Sequence, residues 1–205
     1  MKISRRRQVT AAAAATAFLF AAGAPVKANI RNADKSGLKS VGLKSSAIAS
    51  DDKQYHLRLH HLHTGEDIDI VYRIGDTYIP EALDRLNHFL RDHRTQDVSA
   101  YDPKEFDVLH SIMTSLGRPN GIIDIVCGYR TPWSNSFLRS RAASTGVAEH
   151  SQHMLAKAID IRVPGIGTAQ LRDAALALHA GGVGFYPVSQ FVHVDVGPVR
   201  TWSYR

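Results

Sequence analysis

The sequence predicts an α+β domain, an antiparallel sheet with helices packed against it. Three observations carry that expectation. Runs with the period-two alternation of half-buried strands stand at residues 55–59, 68–74, 158–163 and 191–196. Runs with apolar residues at helical spacing stand at 80–90, 103–116 and 169–180. The two kinds do not alternate along the chain as the strand–helix–strand units of a parallel sheet would, and no internal repeat is visible.

Residues 1–28 are expected to be a signal peptide. Met1 to Arg7 is a positively charged n-region, an alanine-rich apolar run surrounds Phe18-Leu19-Phe20, and Val26-Lys27-Ala28 offers small residues at the cleavage positions. About 15 apolar residues fall short of the roughly 20 that a spanning helix needs, so no stable membrane insertion is expected once the segment is removed. Ser4-Arg5-Arg6-Arg7-Gln8-Val9 resembles a twin-arginine signal, with Gln8 where that signal usually has Phe, and the expected location is the bacterial periplasm. Residues 29–54 are rich in Ser, Lys, Gly and Ala, with Leu38, Val41 and Leu43 scattered among them, and read as a flexible N-terminal arm.

The folded domain is expected over 55–205. Its first two strand runs are joined by a turn at Thr64-Gly65. Pro80 suits the first turn of a helix that places Leu83, Leu86, Phe89 and Leu90 on one face. Asp102-Pro103 opens a second helix, with Phe106, Leu109, Ile112, Met113 and Leu116 inward and Gly117 as its stop. Ile122-Ile123-Asp124-Ile125-Val126 is a short buried strand that ends at Gly128-Tyr129-Arg130-Thr131-Pro132, and a helix or loop follows around 136–142. After the strand at 158–163 and the helix at 169–180, Gly181-Gly182-Val183-Gly184-Phe185-Tyr186 leads into a final strand at 191–196.

A composition that is 44% hydrophobic and 21% charged excludes a disordered or collagen-like chain. The formal charge of +6 would suggest a nucleic-acid partner. However, Lys2, Arg5, Arg6, Arg7 and Lys27 all lie in the first 28 residues, which hold no acidic residue, and without those five the charge falls to +1. Nucleic acid is therefore not an expected partner. A single cysteine, Cys127, excludes an intramolecular disulfide and is expected to be buried.

Chemistry concentrates in Ser151-Gln152-His153-Met154-Leu155-Ala156-Lys157-Ala158-Ile159-Asp160 and in Phe191-Val192-His193-Val194-Asp195-Val196. In the second segment, alternation sends Val192, Val194 and Val196 to the core and His193 and Asp195 to the other face. The strand at 158–163 behaves alike: Ile159, Ile161 and Val163 face in, and Asp160 faces out. Asp160, His193 and Asp195 are thereby expected to meet over an open cleft. His153 precedes Asp160 by an odd seven residues, so a bend must bring it over the strand end. Two imidazoles and a carboxylate with room for a water are the ligand set of a catalytic rather than a structural zinc site. With 11 histidines in the chain, such pairs also arise by chance. His56, His60, His61 and His63 cluster in sequence without a carboxylate or cysteine to complete a local set, and read as surface or packing residues.

The pattern Ser-x-His-x6-Asp followed by Val-His-x-Asp resembles the zinc peptidases that include the D-Ala-D-Ala dipeptidases, the lysostaphin-like enzymes and the hedgehog signalling domain. Within them, the chain is similar to the YcbK-like (MepK-type) murein endopeptidases from about Leu57 to Trp202. The likeness runs through His63-Thr64-Gly65-Glu66, Leu90-Arg91-Asp92-His93-Arg94, Gly128-Tyr129-Arg130-Thr131 and the two segments above. It implies a hedgehog/D-Ala-D-Ala-peptidase-like α+β fold and one zinc ion per chain, with His153, Asp160 and His193 as ligands. It also implies that Arg130 polarises a carbonyl or contacts substrate, against the alternative of a structural ion pair, and that Ser151 supports a ligand or contacts substrate. Ala156 stands where the family often has Gly, and Gln190 stands where many relatives carry a Glu or Asp base. The base must then come from elsewhere. Asp195 is the candidate, either for that role or as a carboxylate that orients an imidazole. The implied activity is hydrolysis of peptide cross-links in peptidoglycan, diaminopimelate–diaminopimelate ones in particular. The alternatives are a D,D- or L,D-carboxypeptidase and a non-catalytic zinc-bound cell-wall-binding domain.

Overall fold

The computed structural model describes residues 53–141 and 146–204. The segment read as a signal peptide, and the arm up to residue 52, lie outside the described residues. The described elements are β1 (Gln54–His61), β2 (Asp67–Ile74), β3 (Thr77–Tyr78), α1 (Pro80–Phe89), α2 (Lys104–Ser115), β4 (Ile122–Cys127), α3 (Pro132–Ser140), a 3-10 turn (Gln152–Leu155), β5 (Ala158–Arg162), α4 (Thr168–Ala177), β6 (Gly182–Tyr186), β7 (Phe191–Asp195) and β8 (Arg200–Ser203). All eight strands join one sheet in the order β3-β2-β1-β4-β5-β7-β6-β8. Its pairings are antiparallel except for β1 with β4 and β6 with β8.

Local chemistry accounts for most of these elements. Gly65, at φ 72°, closes the β1–β2 turn by donating its N–H to the His61 carbonyl. Pro80 occupies the first turn of α1, where a missing N–H costs nothing. Along α2, Phe106, Leu109, Ile112 and Met113 are buried, and Gly117 ends the run in a left-handed conformation. The core lies between these helices and the inward face of the sheet, where Ile159, Ile161, Val192 and Val194 are buried as the alternation requires. Burying a side chain of this size stabilises by roughly 1.5–3 kcal/mol.

Three elements differ from the sequence expectation. The segment expected only to lead into the last strand is itself a strand, β6. Its Gly182 and Gly184 lack the branched side chains that mark strands in a sequence. β8 follows β7 with exposed Arg200, Thr201 and Ser203 and carries no alternation signal. Helix α3 starts at Pro132, four residues earlier than read, because the Thr131 hydroxyl accepts the Ser134 N–H and caps it. Among the described residues, no helix is long and apolar enough to cross a membrane.

Candidate metal centre

Pairing across the sheet places one row of residues side by side: Cys127 of β4, Asp160 of β5, His193 of β7, Gly184 of β6 and Trp202 of β8. Cys127 joins the row through a bulge. Ile125 still pairs with Ile161, whereas Cys127 pairs with Asp160, and the extra residue turns it from the core side to the site side. Gly184 leaves room for Trp202, since a Cβ there would stand 2.6 Å from the indole ring. The bend expected before Asp160 is the 3-10 turn, which ends at Ala156 with φ 50° and ψ 46°. That left-handed conformation, natural for Gly, costs an L-residue roughly 1–2 kcal/mol. Ser151 caps the turn, its hydroxyl accepting the His153 N–H at 3.3 Å.

The turn brings His153 against the Asp160–His193 pair. His153 Nε2 is 3.1 Å from His193 Nδ1 and 3.2 Å from Asp160 Oδ1, and His193 Nδ1 is 2.9 Å from that same oxygen. The outer nitrogens assign the tautomers. His153 Nδ1 lies 2.8 Å from the Gly128 carbonyl, and His193 Nε2 lies 2.9 Å from Asp195 Oδ2. Both partners only accept, so both outer nitrogens carry protons, and in the neutral imidazoles the inner ones present lone pairs. In the neutral form two imidazole lone pairs and a carboxylate oxygen thus converge on one point, which suits a cation. Without one, burial disfavours a charged His193, but Asp160 and Asp195 outweigh it and raise its pKa, so a proton takes the cation's place. The separations also suit a cation. Bonds of about 2.0–2.1 Å in a tetrahedron put donors roughly 3.3 Å apart. Hydrogen bonds to the outer nitrogens are the usual support of a metal-bound imidazole.

The expectation of an open cleft needs one correction: His153, Asp160 and His193 are buried, at 2%, 6% and 6% exposure. Burial lowers the pKa of His153, which favours the neutral, metal-binding imidazole. For Asp160, burial opposes the charge, but His153 and His193 outweigh it and hold the carboxyl well below the usual range. Donor atoms of Cys127, His153 and Asp160 also lie within 4.8 Å of one another, so the thiol is a further potential ligand. The histidine set is tighter. Burial raises the Cys127 pKa, and its sulfur already accepts an Arg130 N–H at 3.4 Å.

The remaining sequence candidates take distinct places. Arg130 is buried, donating to Asn135 Oδ1 at 3.2 Å with one terminal nitrogen, while the other stands 3.7 Å from Asp160 Oδ2. It lines the same cleft as Ser151, His153, Asp160 and His193. Asp195 lies behind His193. Its Oδ1 accepts from the N–H groups of Gly182 and Gly197 and from Arg200, and its Oδ2 from His193 and Arg200. Five donors leave no lone pair for a proton from water, so this geometry fits the orienting role rather than the base. Gln190, with φ 55°, borders a different groove beside Asp124 and Arg162.

Several contributors escaped the sequence reading. Buried Asp92 accepts the N–H and hydroxyl of Thr131, both at 2.8 Å, and the Arg94 N–H at 2.9 Å, which ties the 90–94 loop to the residue after Arg130. Asn135 braces the cleft wall through the carbonyls of Ala148 and Glu149. Tyr186, Arg200 and Trp202 line the cleft from strands that carried no signal of their own.

This α+β sheet, with two imidazoles and a carboxylate converging beneath a cleft, fits a metal-dependent hydrolase. The chain belongs to the M15 peptidase family described as peptidoglycan L,D-endopeptidase MepK, whose model matches residues 49–202. It is 44% identical over 156 residues to the peptidoglycan L,D-endopeptidase MepK of Escherichia coli strain K12, covering 76% of this chain and 84% of that one. It is 39% identical over 157 residues to the probable peptidoglycan L,D-endopeptidase MepK of Haemophilus influenzae, covering 77% and 83%. No solved structure matches significantly.

Proposed function

We propose that the chain is a zinc-dependent peptidoglycan endopeptidase that hydrolyses diaminopimelate–diaminopimelate cross-links in the periplasm. The observation that carries the reading is the convergence of three donor atoms, on His153, Asp160 and His193, with both imidazoles fixed from behind. A zinc ion held there supplies Lewis-acid polarisation of the scissile carbonyl and acidifies water. The chain's own residues do the rest. Asp195 and the Gly128 carbonyl hold the two imidazoles in the binding tautomer. Arg130 keeps positive charge beside the cleft for an oxyanion or a stem-peptide carboxylate. Ser151 fixes the turn that presents His153.

The choice of bond rests on the relatives. They are named L,D-endopeptidases, and a bond from the L-centre of one diaminopimelate to the D-centre of the next belongs to that stereochemical class. The periplasmic location rests on the twin-arginine-like segment at the N-terminus. The test is muropeptide analysis of sacculi incubated with the purified protein, with and without a zinc chelator. Chelator-sensitive loss of cross-linked dimers is expected. Shortened monomers would point to a carboxypeptidase, and binding without turnover to a non-catalytic wall-binding domain.

A further inference from the structure

One polar group in the cleft is used by none of these roles. Tyr186 pairs with Phe191 across β6 and β7, two residues along from the Gly184–His193 pair, so its ring lies on the same sheet face as His193. The ring is clamped. It stacks on Phe191 at 4.3 Å between centroids and 14° between planes, and the Trp202 indole N–H donates to its hydroxyl oxygen at 3.0 Å. An indole nitrogen can only donate, so the tyrosine oxygen is the acceptor in that bond and its own proton is directed to the Gly146 carbonyl. The Gly146 carbonyl stands at 3.5 Å, the outer limit of a hydrogen bond. Burial raises the phenol's pKa, which keeps that proton in place.

Tyr186 lines the cleft together with Arg130, His153, Asp160 and His193. Arg130 stands there too, with one N–H of each terminal nitrogen given to Asn135 and Cys127, and supplies charge beside the phenol. The indole-braced phenol is thus a fixed donor whose proton is held only by a long bond to the Gly146 carbonyl, one that a better acceptor in the cleft can displace.

We propose that Tyr186 is a catalytic residue of the amide hydrolysis, its hydroxyl donating a hydrogen bond to the scissile carbonyl oxygen as the carbon becomes tetrahedral. Water forms a bond to that carbon and the carbonyl electron pair moves onto oxygen, where the phenol O–H meets it without surrendering its proton. The pair then returns to reform the carbonyl as the C–N bond breaks, and the amine leaves with the proton that water gave up. Trp202 and Phe191 are the positioning residues. They fix the donor before the charge develops, which is what makes such donors effective. This inference rests on the peptidase reading above.

The test is Tyr186→Phe, which keeps the ring and its stacking, compared with the wild-type protein when both are purified with zinc. Turnover of cross-linked muropeptides is expected to fall about 10²–10³-fold with zinc content unchanged. KM should stay within about threefold, since a contact made only in the transition state leaves ground-state binding alone. A phosphinate-linked diaminopimelate analogue, which presents a tetrahedral anion, should lose affinity by a similar factor in calorimetry. Turnover and phosphinate affinity both within about threefold of wild type would overturn the proposal. Should wild type leave sacculi intact, the peptidoglycan reading fails and the phosphinate comparison alone decides: an affinity lost in the variant upholds Tyr186, and equal affinities reject it. No phosphinate binding by wild type rejects both.

Discussion

Asp195 and Arg200 meet as a two-pronged ion pair, Oδ2 lying 2.7 Å from one terminal guanidinium nitrogen and Oδ1 3.0 Å from the other. The pair fixes the carboxylate that in turn fixes His193. With His193, Arg200 and the Gly182 N–H against it, the carboxyl stays well below the usual range although burial opposes the charge. Asp195→Asn is therefore expected to weaken zinc binding by about 10–100-fold, with activity recovered at high zinc. Titrating zinc into the apo variant while following cross-link cleavage checks this. Unchanged zinc affinity with a loss of about 10²–10⁴ in kcat would restore Asp195 as the proton carrier.

His153→Ala and His193→Ala should each lose stoichiometric zinc and activity together. Both should still fold, because the core of Ile159, Ile161, Val192 and Val194 lies on the opposite side of the sheet. Elemental analysis beside circular dichroism tests the pair. Full zinc occupancy in either variant would remove that residue from the ligand set.

Asp92 predicts an acid-sensitive brace. Burial alone would raise its pKa. The Ser134 hydroxyl beside it, the N–H groups of Thr131 and Arg94 and the Thr131 hydroxyl outweigh burial and bring it to about 2. A pKa lowered by folding gives stability that is present above about pH 4 and lost as pH falls toward 2. Asp92→Asn should thus cost about 2 kcal/mol near neutrality, or about 4–8 °C in Tm, with the gap from wild type closing between pH 4 and 2. Thermal melts across that range measure it, and a gap independent of pH would contradict it.

Gly184→Ala should displace Trp202, because the new methyl would stand 2.6 Å from the indole ring. The expected cost is about 1–3 kcal/mol, with a red shift in tryptophan emission and reduced activity. An unshifted spectrum would mean that the ring does not lie against the strand at this point.

Replacing Arg5, Arg6 and Arg7 with lysines should leave the precursor in the cytoplasm. Fractionation followed by immunoblotting reads the outcome. Normal export would exclude the twin-arginine route and leave a general signal peptide.

Much of the site could be read in the sequence because alternation is strict where both faces of a strand have work to do. Val192 and Val194 point inward, so His193 and Asp195 cannot. The odd spacing from His153 to Asp160 called for a bend, and Ala156 supplies it. What alternation could not give was distance from the surface. The face opposite the valines is covered by the 3-10 turn and Trp202, so residues expected in the open are buried. Tyr186 and Trp202 were hidden for another reason. A glycine-bearing strand and a four-residue polar one have no pattern apart from their pairing partners, and pairing is a tertiary fact. Asp195 shows the limit for chemistry: its face followed from spacing, whereas the five donors that occupy it come from Gly182, His193, Gly197 and Arg200 together.

Asp160 and His193 are direct partners in the β5–β7 ladder, and this would give a metal held by them a second task. A slip of one residue between those strands would turn one of the two donors to the opposite face of the sheet. A cation bound there would therefore proofread the pairing. At a thousandfold excess over its Kd it adds about 4 kcal/mol, and only to the correctly registered sheet. A chain refolding without zinc forgoes that discrimination, so metal supplied during folding should raise the yield of native ladder more than the same metal added afterwards.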